Sequence, residues 1–160
     1  MSFQFSAYQI AELATDVEAA SANFYKQLAL KTKDLTIREV FELLSTQESG
    51  HRMAFVAMAN KLKSEGEIYE YSIDLFSMMQ YTLDKLKTTA FPAVVTGQPQ
   101  DILVALDVAV KAEETSVNVY TQLRNTVSRQ FHETLDGILK VEQYHCKWVS
   151  DLRKKMSGPA

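Results

Sequence analysis

The chain predicts an all-α protein, an antiparallel four-helix bundle with one long crossover. Four long segments place apolar residues at alternating steps of three and four, the stripe of an amphipathic helix. Only five Gly and three Pro occur in 160 residues, so little interrupts those segments. The junctions from first to second and from third to fourth are short. Residues 64–100 separate the second from the third, more chain than a hairpin between antiparallel neighbours uses. No strand pattern competes.

The first helix is expected from about Ser6 to Thr32, with the stripe Ile10, Leu13, Val17, Phe24 and Leu28, and Ala14, Glu18, Ser21 and Tyr25 beside it. The second starts near Asp34, with Thr36 as its cap, and reaches about Lys63, where Ser64-Glu65-Gly66-Glu67 breaks it. Its stripe is Ile37, Phe41, Leu44, Glu48, His51, Phe55, Met58 and Leu62. Within the crossover, Ser72 is positioned to cap a shorter helix from Ile73 to about Thr89, and FPAVVTGQPQ reads as loop. The third long helix begins after Pro99, with Gln100-Asp101 as its entry, and runs to about Asn125 along Ile102, Leu106, Ala109, Glu113, Ser116, Tyr120 and Leu123. The fourth follows a junction at Thr126–Ser128 and is striped by Phe131, Leu135, Ile138, Glu142, His145, Val149 and Leu152. Residues 1–160 read as one domain, with 64–100 as a connection inside it.

Composition narrows the function classes. A hydrophobic fraction of 46% and a charged fraction of 23% are ordinary for a soluble globular protein. The net charge of −3 provides no basic face for nucleic acid. The one basic cluster, Arg153-Lys154-Lys155, falls where a last helical turn would be, and cations there complement the helix dipole. A single cysteine, Cys146, excludes an internal disulfide and any Cys-x-x-Cys site. No apolar targeting segment follows Met1 and no run of 18 apolar residues occurs, so a cytoplasmic protein with no membrane span is expected.

The informative residues are the polar ones on the apolar stripes. An ionised Glu buried in a core costs several kcal/mol unless something compensates it. Here the intrusions repeat. EAASANFYKQL at 18–28 aligns without gaps on EETSVNVYTQL at 113–123, and the second and fourth helices share Glu-x-x-His as ESGH (48–51) and EQYH (142–145). Glu and His three apart on a helix project side by side, so both can touch one metal ion. Carboxylate and imidazole without thiolate suit Fe, Mn or Zn. One Glu from each of two helices, with Glu-x-x-His from each of the other two, is the ligand set of ferritin-like di-iron and di-manganese proteins. The candidate ligands are therefore Glu18, Glu48, His51, Glu113, Glu142 and His145. Four carboxylates balance two divalent cations.

Tyr25 and Tyr120 lie two turns beyond Glu18 and Glu113, so each hydroxyl is expected to bond a carboxylate ligand. Ser21 and Ser116 either do similar work or pack as small residues. Gly50 and Gly137 are unusual inside helices and suggest close backbone approach near the site. Cys146 points off the stripe and reads as structural, and His132 lacks a Glu three residues before it and reads as a surface histidine. Glu114 neighbours Glu113, and a shift of one residue would exchange them as ligand.

With EAASANFY, EETSVNVY and the two Glu-x-x-His motifs, the chain resembles the rubrerythrin branch of the ferritin-like superfamily from residue 6 to about 156. The resemblance implies a ferritin-like bundle holding two iron ions, with Mn or Zn as substitutes. Glu48 and Glu142 would bridge them, Glu18 with His51 would complete one, and Glu113 with His145 the other. It implies an oxidoreductase that reduces hydrogen peroxide or dioxygen. Rubrerythrins proper carry a rubredoxin-like domain with two Cys-x-x-Cys pairs, absent from this sequence, so a separate rubredoxin-like electron donor is expected. The family's extra carboxylate, about one turn after the third-helix Glu, is Ser116, which leaves its ligand switch without the second carboxylate. Bacterioferritins carry a haem-ligating Met after the second-helix Glu, where Ser49 stands here. Helix bundles of this kind commonly pair, so a homodimer is expected. Two other functions fit the same residues: a ferroxidase for iron storage or delivery, and a non-catalytic metal-binding helical module.

Overall fold

The computed structural model describes residues 5–65, 71, 73–89 and 98–158. In chain order its helices are α1 (Ala7–Lys31), α2 (Leu35–Glu65), α3 (Ile73–Thr89), α4 (Pro99–Thr126) and α5 (His132–Ser157), with a short 3-10 turn at Arg129–Phe131 before α5. The third and fourth predicted long helices are thus α4 and α5, and α3 is the predicted crossover helix. Among the described residues the one β feature is an isolated antiparallel bridge between Phe5 and Tyr71.

The helix ends follow from local chemistry. Ser6 caps α1 in a capping box: its hydroxyl accepts from the Gln9 backbone N–H, and the Gln9 side chain accepts from the Ser6 N–H. At α2 the cap is Asp34, not Thr36. The Asp34 carboxylate accepts from the Ile37 N–H at 3.1 Å, satisfying a first-turn donor that a threonine already inside the helix cannot reach. The helix also runs past Lys63 through Ser64 and Glu65, since neither residue breaks a helix unaided. α4 opens at Pro99 itself, with Gln98 preceding it, because proline's missing N–H costs nothing in the first turn. Ser72 and most of the FPAVVTGQPQ stretch lie outside the described residues.

α1 pairs with α2 and α4 with α5, and α3 packs against α1 and α4. Every predicted stripe residue on α1, α4 and α5 is buried, as is each on α2 except Ile37, which is half-buried at the bundle's end. Phe24, Phe41, Phe55, Leu28, Leu44, Leu62 and Leu106 are fully buried, each contributing about 1.5–3 kcal/mol relative to exposure. On α3, Leu75, Met79, Leu83 and Leu86 turn inward at helical spacing. The crossover is fastened at Tyr71 and in the first turn of α3: Phe5 stacks on Phe76 at 4.0 Å, the Tyr71 N–H donates to the Phe5 carbonyl, and the Tyr71 hydroxyl bonds Thr126. Among the described residues, no helix is long and apolar enough to cross a membrane.

Gly50 and Gly137 do not mark close backbone approach. Both face solvent, and a Cβ at either would meet nothing within 4 Å. Neither has a positive φ, so each only loosens its helix. Gly137→Ala is therefore expected to raise the unfolding free energy by about 0.5–1 kcal/mol, read as a higher urea midpoint. A lower midpoint would mean that the position is constrained in a way its open surroundings do not show.

Candidate metal centre

Each long helix of the bundle carries part of one buried polar cluster. α1 supplies Glu18, α2 supplies Glu48 and His51, α4 supplies Glu113, and α5 supplies Glu142 and His145. All six are buried. Helical spacing explains how so many polar groups meet, because residues i and i+3 share a face and the stripes of all four helices point to one axis.

The six residues form two overlapping groups. Glu18, Glu48, His51 and Glu142 make one, and Glu48, Glu113, Glu142 and His145 the other. Within each group, one nitrogen or oxygen per residue lies within 4.8 Å of all the rest. Glu48 and Glu142 belong to both. His51 Nδ1 is 2.5 Å from Glu142 Oε1, 3.6 Å from Glu48 Oε2 and 3.7 Å from Glu18 Oε2. His145 Nδ1 mirrors it, 2.8 Å from Glu48 Oε1 and 3.6 Å from both Glu113 Oε2 and Glu142 Oε2. Residue 48 thus meets 145 and 51 meets 142, so α2 and α5 run antiparallel.

Close approach does not satisfy these atoms. His51 Nδ1, His145 Nδ1, Glu18 Oε2, Glu48 Oε1 and both oxygens of Glu142 are buried with no partner in hydrogen-bond geometry. Buried polar atoms are nearly always bonded, so six orphans at one point need an explanation. The donor set fits metal ions: Glu142 offers two free oxygens and Glu18 offers one. Carboxylate and imidazole without sulfur suit Fe, Mn or Zn.

The metal-free electrostatics show the same strain. Burial works against a charged His51, but the carboxylates of Glu142, Glu18 and Glu48 outweigh it and push the ring up to about 12. His145 is likewise raised to about 12, burial being outweighed by Glu113, Glu142 and Glu48. Burial raises Glu48 well above the usual carboxylate range, and the charges of Glu18, Glu142 and Glu113 add to it. Glu113 rises to about 8, mainly through burial, with His145 opposing. Burial thus favours the uncharged form of the carboxyls, and the carboxylates favour the protonated form of both histidines.

The tyrosines bond carboxylates as expected, but crosswise. The Tyr25 hydroxyl on α1 donates to Glu113 on α4, and the Tyr120 hydroxyl on α4 donates to Glu18 on α1. A tyrosine two turns along its own helix cannot reach that helix's Glu, whereas an antiparallel neighbour brings the other Glu opposite it. Both phenols are raised well above their usual range, by burial first and then by Glu113 for Tyr25 and Glu18 for Tyr120. The rings pack on Phe41 and Phe55, which fixes them.

Glu113, not Glu114, faces the cluster, and Glu114 is exposed on α4. Ser21 and Ser116 are buried, but among the described residues neither hydroxyl bonds a site carboxylate, so both serve as small packing residues. Cys146 is half-buried, its thiol pushed up to about 12 by burial and by Glu113 and Glu142, which suits a structural role. His132 is half-buried at the start of α5, its Nε2 3.1 Å from the Val127 carbonyl. One partner escapes sequence reasoning: the Gln47 Oε1 lies 2.7 Å from His145 Nε2. Gln47 lies beside the stripe rather than on it, and only its place immediately before Glu48 hinted at it.

The comparisons with known proteins agree with this geometry. A Rubrerythrin family model matches residues 10–153, which spans all six cluster residues. No curated protein and no solved structure gives a significant match. Family match, all-helical bundle and buried carboxylate–histidine cluster together place the chain in the rubrerythrin family.

Proposed function

We propose that the protein is a non-haem di-iron oxidoreductase that reduces hydrogen peroxide, or dioxygen, at its buried carboxylate cluster. The observation that carries this is the set of six orphaned ligand atoms, divided into two groups that share Glu48 and Glu142. In this reading Glu18, Glu48, His51 and Glu142 would hold one iron ion and Glu48, Glu113, Glu142 and His145 the other. Two ferrous ions, when bound, supply one electron each, which matches the two-electron reduction of a peroxide bond. The choice of peroxide over dioxygen rests on the resemblance to rubrerythrins.

The chain's own residues prepare that chemistry. Tyr25 and Tyr120 each hold one oxygen of a terminal carboxylate, leaving the second oxygen for metal. Phe41, Phe55, Leu44 and Leu106 close the core around the cluster and exclude bulk water. His51 is its most open edge, with 11% of its side chain exposed against 0% for His145, which makes it the approach for a small oxidant. A separate electron-donor protein would re-reduce the centre, and the chain would act as a homodimer.

Anaerobic titration of metal-free protein with ferrous iron should saturate at about two ions per chain. Subsequent mixing should show faster oxidation by peroxide than by dioxygen. Preference for dioxygen would shift the reading to a ferroxidase, and binding unchanged in a Glu48→Gln, Glu142→Gln double variant would sink the metal centre. Burial and the facing carboxylates favour the protonated forms of His51, His145 and Glu48, so cation binding is expected to release protons. Apparent affinity should therefore rise from pH 6 to pH 8. Calorimetric heats should depend on the ionisation enthalpy of the buffer; heats independent of buffer would contradict the protonated core. Tyr25→Phe should weaken ferrous binding roughly 10-fold or more while leaving the helical circular dichroism intact. Unchanged binding would make Tyr25 a plain core residue.

A further inference from the structure

The two halves of the cluster come from one repeated pattern, yet their surroundings differ. On α2 the residue before Glu48 is Gln47, whose side-chain oxygen lies 2.7 Å from His145 Nε2. On α5 the residue before Glu142 is Val141, which has no side-chain acceptor to offer His51. Three residues after His145 comes Trp148, its ring 6.1 Å from the imidazole and tilted by 38°. Three residues after His51 comes Ala54, too small to cover a ring. Exposure follows from this: the His145 side chain is 0% accessible and that of His51 11%.

We infer that Gln47 is a positioning residue that holds His145 as its Nε2–H tautomer, so that a first divalent cation lodges in the Glu113–His145 half before a second enters the Glu18–His51 half. This rests on the two-metal reading above. A neutral imidazole binds a cation through one nitrogen only if the proton sits on the other, and the bond at the far nitrogen decides which. With the Gln47 oxygen accepting from Nε2–H, Nδ1 is the nitrogen of His145 that faces Glu48, Glu113 and Glu142 and that gives up its proton to a cation. Trp148 packs against the fully buried ring, so little rotational freedom is left to lose on binding. His51 has neither support, and water competes for it. Its cation must therefore order the ring as it binds. Shared Glu48 and Glu142 make the second ion's site complete only after the first has fixed them.

Calorimetric titration of the metal-free full chain with zinc ions tests this. The wild type should show two successive binding events per chain. Gln47→Leu should weaken the tighter event roughly 10–100-fold and leave the weaker one in place. Gln47→Glu, which keeps an acceptor for Nε2–H, should restore the tight event. Val141→Gln, which supplies the missing acceptor on the other half, should tighten the weaker one. Nitrogen chemical shifts of the zinc-loaded protein should place the proton of His145 on Nε2. Two wild-type sites of equal affinity, a Gln47→Leu change that weakens both events alike or neither, or a proton on His145 Nδ1 would each overturn the inference while leaving two-metal binding standing. A wild type that binds no zinc and no ferrous iron would instead overturn the metal reading itself.

Discussion

Four carboxylates and two imidazoles converge on one buried point, and the rest of the molecule is arranged to tolerate that. Moving isolated charges out of water costs several kcal/mol each unless they are paired or bound to metal. The protein answers in two ways. Metal ions held by the cluster would offset the carboxylate charge. Burial and the neighbouring carboxylates also favour the protonated forms of the two histidines and of Glu48 and Glu113. Either solution needs all six groups at fixed positions, which rigid helices provide better than loops. The surrounding Phe and Leu layers supply burial that a polar centre cannot supply for itself.

The internal repeat makes this arrangement possible with little sequence. Each helix pair, α1 with α2 and α4 with α5, contributes one lone Glu and one Glu-x-x-His. Joining the pairs antiparallel sets residue 18 against 120 and 25 against 113, so each tyrosine supports the other pair's carboxylate. The two hairpins are thereby bonded through the site as well as through the core. A bundle with one long crossover is the connection that allows it, and α3 fills the length of chain the crossover requires. Fold and site are therefore one constraint seen at two scales.

Much of this was legible in the sequence because helical periodicity is a local property. The stripes, the crossover helix from Ile73 and the six cluster residues all follow from spacing of three and four along single segments. The parts that needed the assembled structure depend on pairs of helices. The crosswise tyrosine bonds require the α1–α4 register, and Gln47 reaches His145 across the bundle from beside the stripe. The Asp34 cap and the open surroundings of Gly50 and Gly137 turn on where one helix begins and which side of it faces solvent, details finer than the stripe resolves. The match of the Rubrerythrin family model over residues 10–153 agrees with the motif reading and does not choose among the chemistries such a site can perform.

Departures from the repeat are where one half of the cluster becomes different from the other. A symmetric pair of half-sites would bind two ions alike and expose both equally. Here Trp148 stands where the repeat has Ala54, and Gln47 where it has Val141, so one half is sealed and bonded while the other meets solvent. That division gives the two groups of the cluster unlike surroundings although they share Glu48 and Glu142. The Glu113–His145 side is the more enclosed of the two, and the Glu18–His51 side is the one that reaches solvent. The repeat fixes which residues form the cluster, and the substitutions that break it make its two sides unequal.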